Sequence, residues 1–132
     1  MKVTFIGIGL MGKPIAINLI KAGVDVTVVN RSQGKIQELV ALGARNGGTP
    51  SEGSATADVV ILCLQGEDIV ELVLNGDNGV LSSIKPGVII VDHSTIHPES
   101  AKRFAALCET HQATYIDAPV SGTGKVAWDG KL

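Results

Sequence analysis

Three glycines, Gly7, Gly9 and Gly12, have the spacing best suited to chemistry in this sequence, because their G-x-G-x-x-G pattern directly follows an apolar run at 3–6. The first glycine permits a sharp exit from a strand, the second lets a pyrophosphate approach the backbone, and the third lets the next helix pack closely. The first N–H groups of that helix lack intrahelical acceptors and lie at the positive end of its dipole. The diphosphate of a dinucleotide is therefore predicted to bind the whole turn: Gly7, Ile8, Gly9, Leu10, Met11 and Gly12.

A second group of polar residues follows the next β-branched run, which ends at position 29. In a βαβ unit of this kind, the residue at the end of the second strand faces the adenosine ribose, and a carboxylate there selects NAD. The sequence has Asn30 in that place, and Arg31 and Lys35 are spaced so that both cations can reach one phosphate monoester. The pattern predicts NADP in preference to NAD. Solvated charges at a helix start are the alternative interpretation of Arg31 and Lys35.

Strand-like and helix-like segments alternate along the rest of the chain, with no internal repeat and no linker. The clearest buried strand, 58–64, has six apolar residues in succession, as expected of a strand covered on both faces. This alternation predicts an α/β fold, a Rossmann-type doubly wound, mainly parallel sheet with helices on both faces. The predicted strands are 3–6, 24–29, 58–64, 88–92 and 114–118, and the predicted helices are 14–21, 33–42, 50–57, 67–75 and 98–111, with room for a short third strand or none at 44–48.

Length and composition fit a single globular domain, since 132 residues with 45% apolar and 18% charged side chains can bury a core without disulfides or metal. A net charge of -2 and the lack of a basic run give no support to a nucleic-acid or membrane-surface partner. No stretch approaches a membrane span, and glycines interrupt the N-terminal apolar run that would otherwise suggest a signal peptide. Cys63 and Cys108 are predicted to be buried thiols in a reducing compartment, so a cytoplasmic location is expected.

Other groups of reactive side chains fit known sites poorly. Asp92, His93 and His97 surround the end of a predicted strand, where polar residues usually serve as caps, so no metal site is expected. The segment 122–125 lacks the first glycine and the final Ser or Thr of a P-loop. Ser121 lacks the G-x-S-x-G elbow of a hydrolase.

Two polar positions each allow two interpretations. Ser94 and Thr95 follow a predicted strand, and they either cap the helix that begins near Pro98 or contact the cofactor. Asn18, on the first helix, either faces a partner domain or satisfies a hydrogen bond within the core.

Four motifs together resemble one family. They are the glycine turn continued by Lys13 and Pro14, the triplet 30–32, the segment 92–98 and the segment 117–122. In this order they resemble the β-hydroxyacid dehydrogenases, which include 3-hydroxyisobutyrate dehydrogenase, tartronate semialdehyde reductase and the glyoxylate/succinic semialdehyde reductases. The resemblance covers nearly all of the chain, and the triplet with Lys35 is most similar to the NADP-using glyoxylate and succinic semialdehyde reductases.

The resemblance implies that residues 1–132 form the NADP-binding domain of an enzyme that transfers a hydride between NADP(H) and a small 3-hydroxy acid or semialdehyde. The glycine turn would hold the diphosphate of the cofactor. The other implied cofactor contacts are Asn30, Arg31, Ser32 and Lys35 at the 2′-phosphate, Leu64 and Gln65 at the middle of the cofactor, and Thr95 near the nicotinamide.

The resemblance also implies a substrate site. Ser121 and Gly122 would bind the substrate carboxylate, and Thr123 adjoins them where the family has a second glycine. The family's general acid is a lysine on a second, all-helical domain that has no counterpart within 1–132. No catalytic residue is therefore expected in this chain, and the chain alone is expected to be inactive.

A missing helical domain would leave an apolar surface, so a homo-oligomer is expected. The alternative function is a stand-alone dinucleotide-binding module without catalytic activity.

Overall fold

The computed structural model describes residues 1–132 as an alternation of strands and helices. Helix α5 is the longest, with 13 residues, and none of the helices is long and apolar enough to cross a membrane. The strands are β1 (Lys2–Ile6), β2 (Asp25–Val29), β3 (Arg45–Asn46), β4 (Val59–Leu62), β5 (Ile89–Asp92) and β6 (Thr114–Asp117). The helices are α1 (Gly12–Lys21), α2 (Gln37–Ala41), α3 (Pro50–Ser54), α4 (Glu67–Asn75), α5 (Pro98–Thr110) and α6 (Gly124–Trp128), with 3₁₀ turns at Gln33–Lys35 and Val80–Ser82.

All six strands are parallel and form one sheet in the order β3-β2-β1-β4-β5-β6. The chain moves from β1 towards one edge and then returns to pair β4 on the other side of β1. The connections that follow β1 and β4 therefore diverge, and they leave a crevice at the carboxyl edge of the sheet. Open α/β sheets bind ligands at such a switch point. The predicted fold class is confirmed.

Each face of the sheet has its own core, because successive side chains of a strand point in opposite directions. Phe5 and Val28 pack with α1 and α2 on one face. Ile6 and Val29 pack with α4 and α5 on the other face. Burial on both faces explains why the apolar residues of the central strands follow one another without the alternation typical of a half-exposed sheet.

The segment predicted as one helix at 33–42 is divided in the structure. A 3₁₀ turn occupies Gln33–Lys35, and α2 begins only at Gln37. Gly34 lowers the helix propensity of the first half, and the buried side chain of Ile36 fixes the junction against the core. The strand that was optional at 44–48 forms as the two-residue β3.

Helix α6 is missing from the sequence prediction because five residues are too few to show a helical period. Thr123 begins the helix by accepting a hydrogen bond from the N–H of Val126 (3.5 Å). At its other end, the side-chain amide of Asn18 donates to the carbonyl oxygens of Ala127 (2.9 Å) and Trp128 (3.4 Å). Asn18 is half-buried and makes these hydrogen bonds within the chain, where they join α1 to α6.

Both cysteines are free thiols in weakly polar surroundings. Cys108 is buried on α5, and this burial raises the pKa of its thiol to about 11. Cys63 is half-buried just after β4, where burial raises its pKa and the negative charge of Asp92 raises it further. Both thiols are thus protonated at neutral pH.

The raised pKa of Cys108 predicts a loss of stability in alkaline solution. The thiol of the unfolded chain ionises near pH 8.5, whereas the buried thiol holds its proton to about pH 11. The free energy of unfolding should therefore fall as the pH rises through this window. Urea unfolding at pH 7.5, 9 and 10.5 should show a steeper fall for the wild type than for Cys108→Ala. Cys63 and Tyr115 are present in both proteins and contribute equally to both. If the free energy of unfolding depended on pH in the same way in the wild type and in Cys108→Ala, the assignment to Cys108 would be contradicted.

Candidate functional site

A cavity of about 710 Å³ lies at the carboxyl edge of the sheet, in the crevice between the ends of β1, β2 and β4. Nine of the thirteen residues predicted to contact the cofactor line this cavity. They come from three separate parts of the chain, and the parallel sheet brings them together. These nine residues are Gly7, Ile8, Gly9, Asn30, Arg31, Ser32, Lys35, Leu64 and Gln65.

The glycine turn is tight because two of its members have no space for a side chain. A Cβ on Gly7 would overlap the carbonyl oxygen of Cys63, and the φ of Gly7 is +103°. A Cβ on Gly12 would overlap the carbonyl oxygen of Gly7. By contrast, a Cβ on Gly9 would meet no protein atom within 4 Å. Protein packing therefore explains why positions 7 and 12 are glycine. At position 9 the missing side chain instead leaves free space on the side of the cavity.

The remaining residues of the turn lie at the start of α1. Leu10 is 83% exposed, and Met11 occupies the N-cap position without capping the helix through its side chain. No acidic residue lies in the first turn of α1. The positive end of the helix dipole is thus not neutralised within its own helix, which favours an anion at this point.

Asn30 holds the glycine turn against the end of β2. Its Oδ1 accepts a hydrogen bond from the N–H of Ile8 (2.9 Å), and its Nδ2 donates to the carbonyl oxygen of Ser32 (3.0 Å). Gln33 Nε2 in turn donates to the carbonyl oxygen of Asn30 (3.0 Å). One side chain therefore links the diphosphate turn to the segment expected at the 2′-phosphate.

Arg31 and Lys35 place two positive charges at the rim of the cavity. Both side chains are exposed, and neither takes part in any of the four ion pairs of the structure. Lys13, in contrast, is paired with Glu38 at 2.6 Å. Neither cation is thus in an ion pair with a carboxylate of the chain, and Asp77 is the one acidic residue that lines the same cavity.

An apolar wall of the cavity lies on α4, and the sequence prediction does not include it. Ile69, Leu72 and Val73 line the cavity, and Leu72 is 63% exposed. The available signal was the excess of apolar residues on this helix. Val70 and Leu74 are the buried residues of α4 and form the face that packs on the sheet. Ile69 and Leu72 are therefore apolar residues outside that core-facing surface. An aromatic ring between this wall and β2 would be held by apolar contact.

Four predicted cofactor contacts do not line the cavity: Leu10, Met11, Gly12 and Thr95. Thr95 is exposed, and His97, not Ser94 or Thr95, caps α5 by accepting from the N–H of Glu99 (3.2 Å). Ser94 Oγ instead accepts a hydrogen bond from the N–H of Leu64 (2.9 Å), which joins the ends of β5 and β4. Neither Ser94 nor Thr95 is therefore the N-cap of α5, and their contact with the cofactor stays a prediction.

The predicted substrate residues Ser121, Gly122 and Thr123 are exposed and lie outside the large cavity. The hydroxyl of Thr123 accepts a hydrogen bond at the start of α6, so this side chain has a structural role. A second cavity of about 350 Å³ lies near this segment, and Val120 and His93 contribute to its lining. The ring of His93 donates from Nδ1 to the carbonyl oxygen of Ala118 (2.7 Å). No group of three or more His, Cys, Asp or Glu is arranged to hold a metal ion.

Two glycines of the turn, Gly9 and Gly12, should respond differently to alanine. Gly9→Ala should leave the free energy of unfolding unchanged, since its Cβ meets no protein atom, but should weaken dinucleotide binding about tenfold by blocking the approach of the diphosphate. Gly12→Ala should lower the stability by about 1–3 kcal/mol, the usual size of an overpacking effect. Urea unfolding and ligand titration of both variants measure these effects. Unchanged binding by a folded Gly9→Ala would contradict a diphosphate at Gly9.

Comparison with curated proteins finds relatives among dehydrogenases and reductases. The 2-(hydroxymethyl)glutarate dehydrogenase of Eubacterium barkeri is 41% identical over 132 residues, which is 100% of this chain and 44% of that protein. The chloroplastic glyoxylate/succinic semialdehyde reductase 2 of Arabidopsis thaliana is 40% identical and is matched over 37% of its length. The chain thus spans less than half the length of these relatives.

Solved structures show the same fold. The structure of Psf3 in complex with NADP+ and 2-OPP has a TM-score of 0.91 and 36% identity, covering 97% of this chain and 45% of that chain. The Mycobacterium tuberculosis 3-hydroxyisobutyrate dehydrogenase with L-serine has a TM-score of 0.87 and 32% identity, covering 97% and 43%. Residues 2–132 also match the family model described as the NAD binding domain of 6-phosphogluconate dehydrogenase. The chain belongs to this family of dinucleotide-binding domains.

Proposed function

We propose that this chain binds NADP(H) in preference to NAD(H), as the cofactor domain, residues 1–132, of an oxidoreductase acting on a small 3-hydroxy acid or semialdehyde. The observation that carries the proposal is the pair of unpaired cations, Arg31 and Lys35, at the rim of the cavity beyond β2. A 2′-phosphate is the part of NADP that NAD lacks, and guanidinium and ammonium groups are its usual partners. An NADP complex of a structural relative is consistent with this assignment.

The residues of the crevice fit the rest of the cofactor. The space beside Gly9 and the free N-terminal end of α1 suit the diphosphate. Ser32 would add a hydroxyl donor beside Arg31, and Asn30 would hold both segments in place. Leu64 and Gln65 would contact the middle of the cofactor, and Thr95 would lie near the nicotinamide. When bound, NADPH supplies a hydride.

The apolar wall of α4 is assigned to the adenine ring. Leu72 and Ile69 are exposed to solvent in the cavity. Exposure of apolar side chains to water carries a free-energy cost, so such side chains are usually buried. The wall lines the same cavity as Asn30 and Arg31, so an adenosine whose 2′-phosphate reaches Arg31 would lie within reach of it. Contact of the ring with these side chains would exclude water from both.

The substrate assignment rests on Ser121 and Gly122, with Thr123 alongside. The hydroxyl of Ser121 is exposed and free of hydrogen bonds within the chain, so it is available to a carboxylate. Relatives named for hydroxymethylglutarate, hydroxyisobutyrate and glyoxylate or succinic semialdehyde act on small carboxylic acids. Hydride transfer to an aldehyde leaves an alkoxide that needs a proton donor. The resemblance places that donor on a second, helical domain, so we assign no catalytic residue within 1–132.

A second candidate function is dinucleotide binding without chemistry. The human cytokine-like nuclear factor N-PAC is 37% identical over 131 residues, and its name is not that of a dehydrogenase. The similarity of this domain to its relatives is therefore compatible with an oxidoreductase and with a dinucleotide-binding module. We favour the enzyme because the other relatives quoted above are dehydrogenases and reductases.

The cysteines and the exposed apolar side chains bear on location and assembly. Two free cysteines without a disulfide fit a reducing compartment such as the cytoplasm. Relatives in this family are described as mitochondrial or chloroplastic, so the compartment differs among them.

Ile89, Ile116 and Trp128 are exposed apolar side chains, which supports contact with another domain or with a second copy in a homo-oligomer.

Removal of the two rim cations should abolish the preference for NADPH. Arg31→Ala and Lys35→Ala should each weaken NADPH binding about tenfold, because each removes a charge-assisted contact to the 2′-phosphate, and should leave NADH binding unchanged. Isothermal titration with both cofactors measures the two affinities.

Lys85→Ala is the matched control, because Lys85 is an exposed lysine that precedes β5 at the opposite edge of the sheet. This variant should keep the affinity and the preference of the wild type. A wild-type chain that binds NADH as tightly as NADPH would refute the assignment of Arg31 and Lys35.

The 132-residue chain should bind NADPH without reducing a substrate. Assays of NADPH oxidation with glyoxylate and succinic semialdehyde should show no turnover above the uncatalysed rate, because we assign no proton donor within 1–132. Titration of the same sample with NADPH serves as the control for a folded, binding-competent chain. Rapid reduction by this chain would show that a proton donor lies within it.

A further inference from the structure

A buried polar cluster joins β5 and β6 to the segment that follows β4, and its polar side chains do not line the cavity. Its centre is Asp92, the only fully buried charged side chain of the protein. Asp92 Oδ1 accepts a hydrogen bond from the N–H of Ser94 (2.8 Å), and its Oδ2 accepts one from the hydroxyl of Tyr115 (2.6 Å). Ser94 Oγ accepts from the N–H of Leu64 (2.9 Å). The four residues form a continuous chain of hydrogen bonds across β5, β6 and the segment that follows β4.

Burial of a carboxylate at position 92 carries a free-energy cost. A buried carboxylate loses its hydration, and only well-placed hydrogen bonds offset that loss. No lysine or arginine pairs with Asp92, so its stabilisation comes from neutral donors. Tyr115 is suited to this task, because burial and the hydrogen bond to Asp92 raise the pKa of its hydroxyl, which remains a donor. An apolar residue would pack at lower cost but could not fix Ser94.

The far end of the cluster touches the proposed cofactor site. Leu64 lines the large cavity, and its side chain lies next to Gly7, where a Cβ would be 3.0 Å from Leu64 Cδ2. Thr95 follows Ser94 directly. The cluster therefore sets the positions of two chain segments that leave β4 and β5. These segments lie on the side of the switch point away from Asn30 and Arg31, so they face the nicotinamide half of a dinucleotide and not its adenosine half.

We propose that Asp92 and Tyr115 are positioning residues for the nicotinamide end of the cofactor, acting through Ser94 on Leu64 and Thr95. This inference rests on the proposed binding of NADP(H). A cluster that served stability alone would affect every ligand of the chain equally. A positioning cluster on the β4–β5 side affects only the half of the cofactor that lies there.

The test compares two ligands on the full 132-residue chain. NADPH carries the nicotinamide, and 2′-phospho-ADP-ribose lacks it but keeps the adenosine, the diphosphate and the 2′-phosphate. Tyr115→Phe removes only the hydroxyl and keeps the ring that packs edge-on against Phe104, with 6.1 Å between ring centroids. The variant should bind NADPH several-fold to about tenfold more weakly, as expected from the loss of one hydrogen bond to a charged group. It should bind 2′-phospho-ADP-ribose as the wild type does.

A second readout and a second variant make the test independent of folding losses. The fluorescence of the nicotinamide in NADPH-saturated protein should shift towards that of free NADPH in Tyr115→Phe. Ser94→Ala, which removes the acceptor for the N–H of Leu64, should show the same selective loss. Thr4→Val is the matched control. It removes another buried hydroxyl, one that donates to the carbonyl oxygen of Gly53 (2.7 Å) away from this cluster, and should leave both ligand affinities unchanged.

The outcomes separate the two proposals. Equal losses for both ligands, no loss for either, or the same selective loss in Thr4→Val would overturn the positioning role while the wild type still binds NADPH. A wild-type chain that does not bind NADPH, or that prefers NADH, overturns the proposed cofactor and this inference together.

Discussion

The close approach of backbone to backbone at the end of β1 is the constraint on which the rest of the site depends. The carbonyl oxygen of Cys63 occupies the place of a side chain at Gly7, and the carbonyl oxygen of Gly7 occupies that of Gly12. Because these contacts leave no room for a Cβ, α1 starts immediately against the sheet with its N-terminal end at the switch point. Both the anion-binding end of α1 and the crevice between β1 and β4 follow from this turn.

Two unpaired cations lie at the rim of the cavity. Arg31 and Lys35 take part in none of the four ion pairs of the structure, whereas Lys13, which follows the glycine turn, is paired with Glu38. On the other side of the switch point, a single buried carboxylate is surrounded by neutral donors. The two halves of the crevice thus differ, with exposed cations beyond β2 and a hydrogen-bonded buried carboxylate beyond β4.

The sequence predicts this fold well where the cause is local. The glycine spacing depends on backbone geometry within six residues, and the unbroken apolar strands follow from burial on both faces. Features that depend on distant contacts escaped prediction. The bond from Asn30 to Ile8 spans 22 residues, and that from Tyr115 to Asp92 spans 23. The apolar wall at Leu72 escaped because helical periodicity does not separate a cavity lining from a core.

The two hydrogen bonds of Asn30 have a consequence for the evolution of cofactor use. An aspartate in its place would still accept a hydrogen bond from the N–H of Ile8, but it could not donate to the carbonyl oxygen of Ser32 and would repel it. A single exchange towards the acidic residue typical of NAD-binding domains would therefore release the segment after β2 at the same time as it disfavoured a phosphate. With the proposed preference for NADP, a change of cofactor would therefore involve both Asn30 and the segment that follows it.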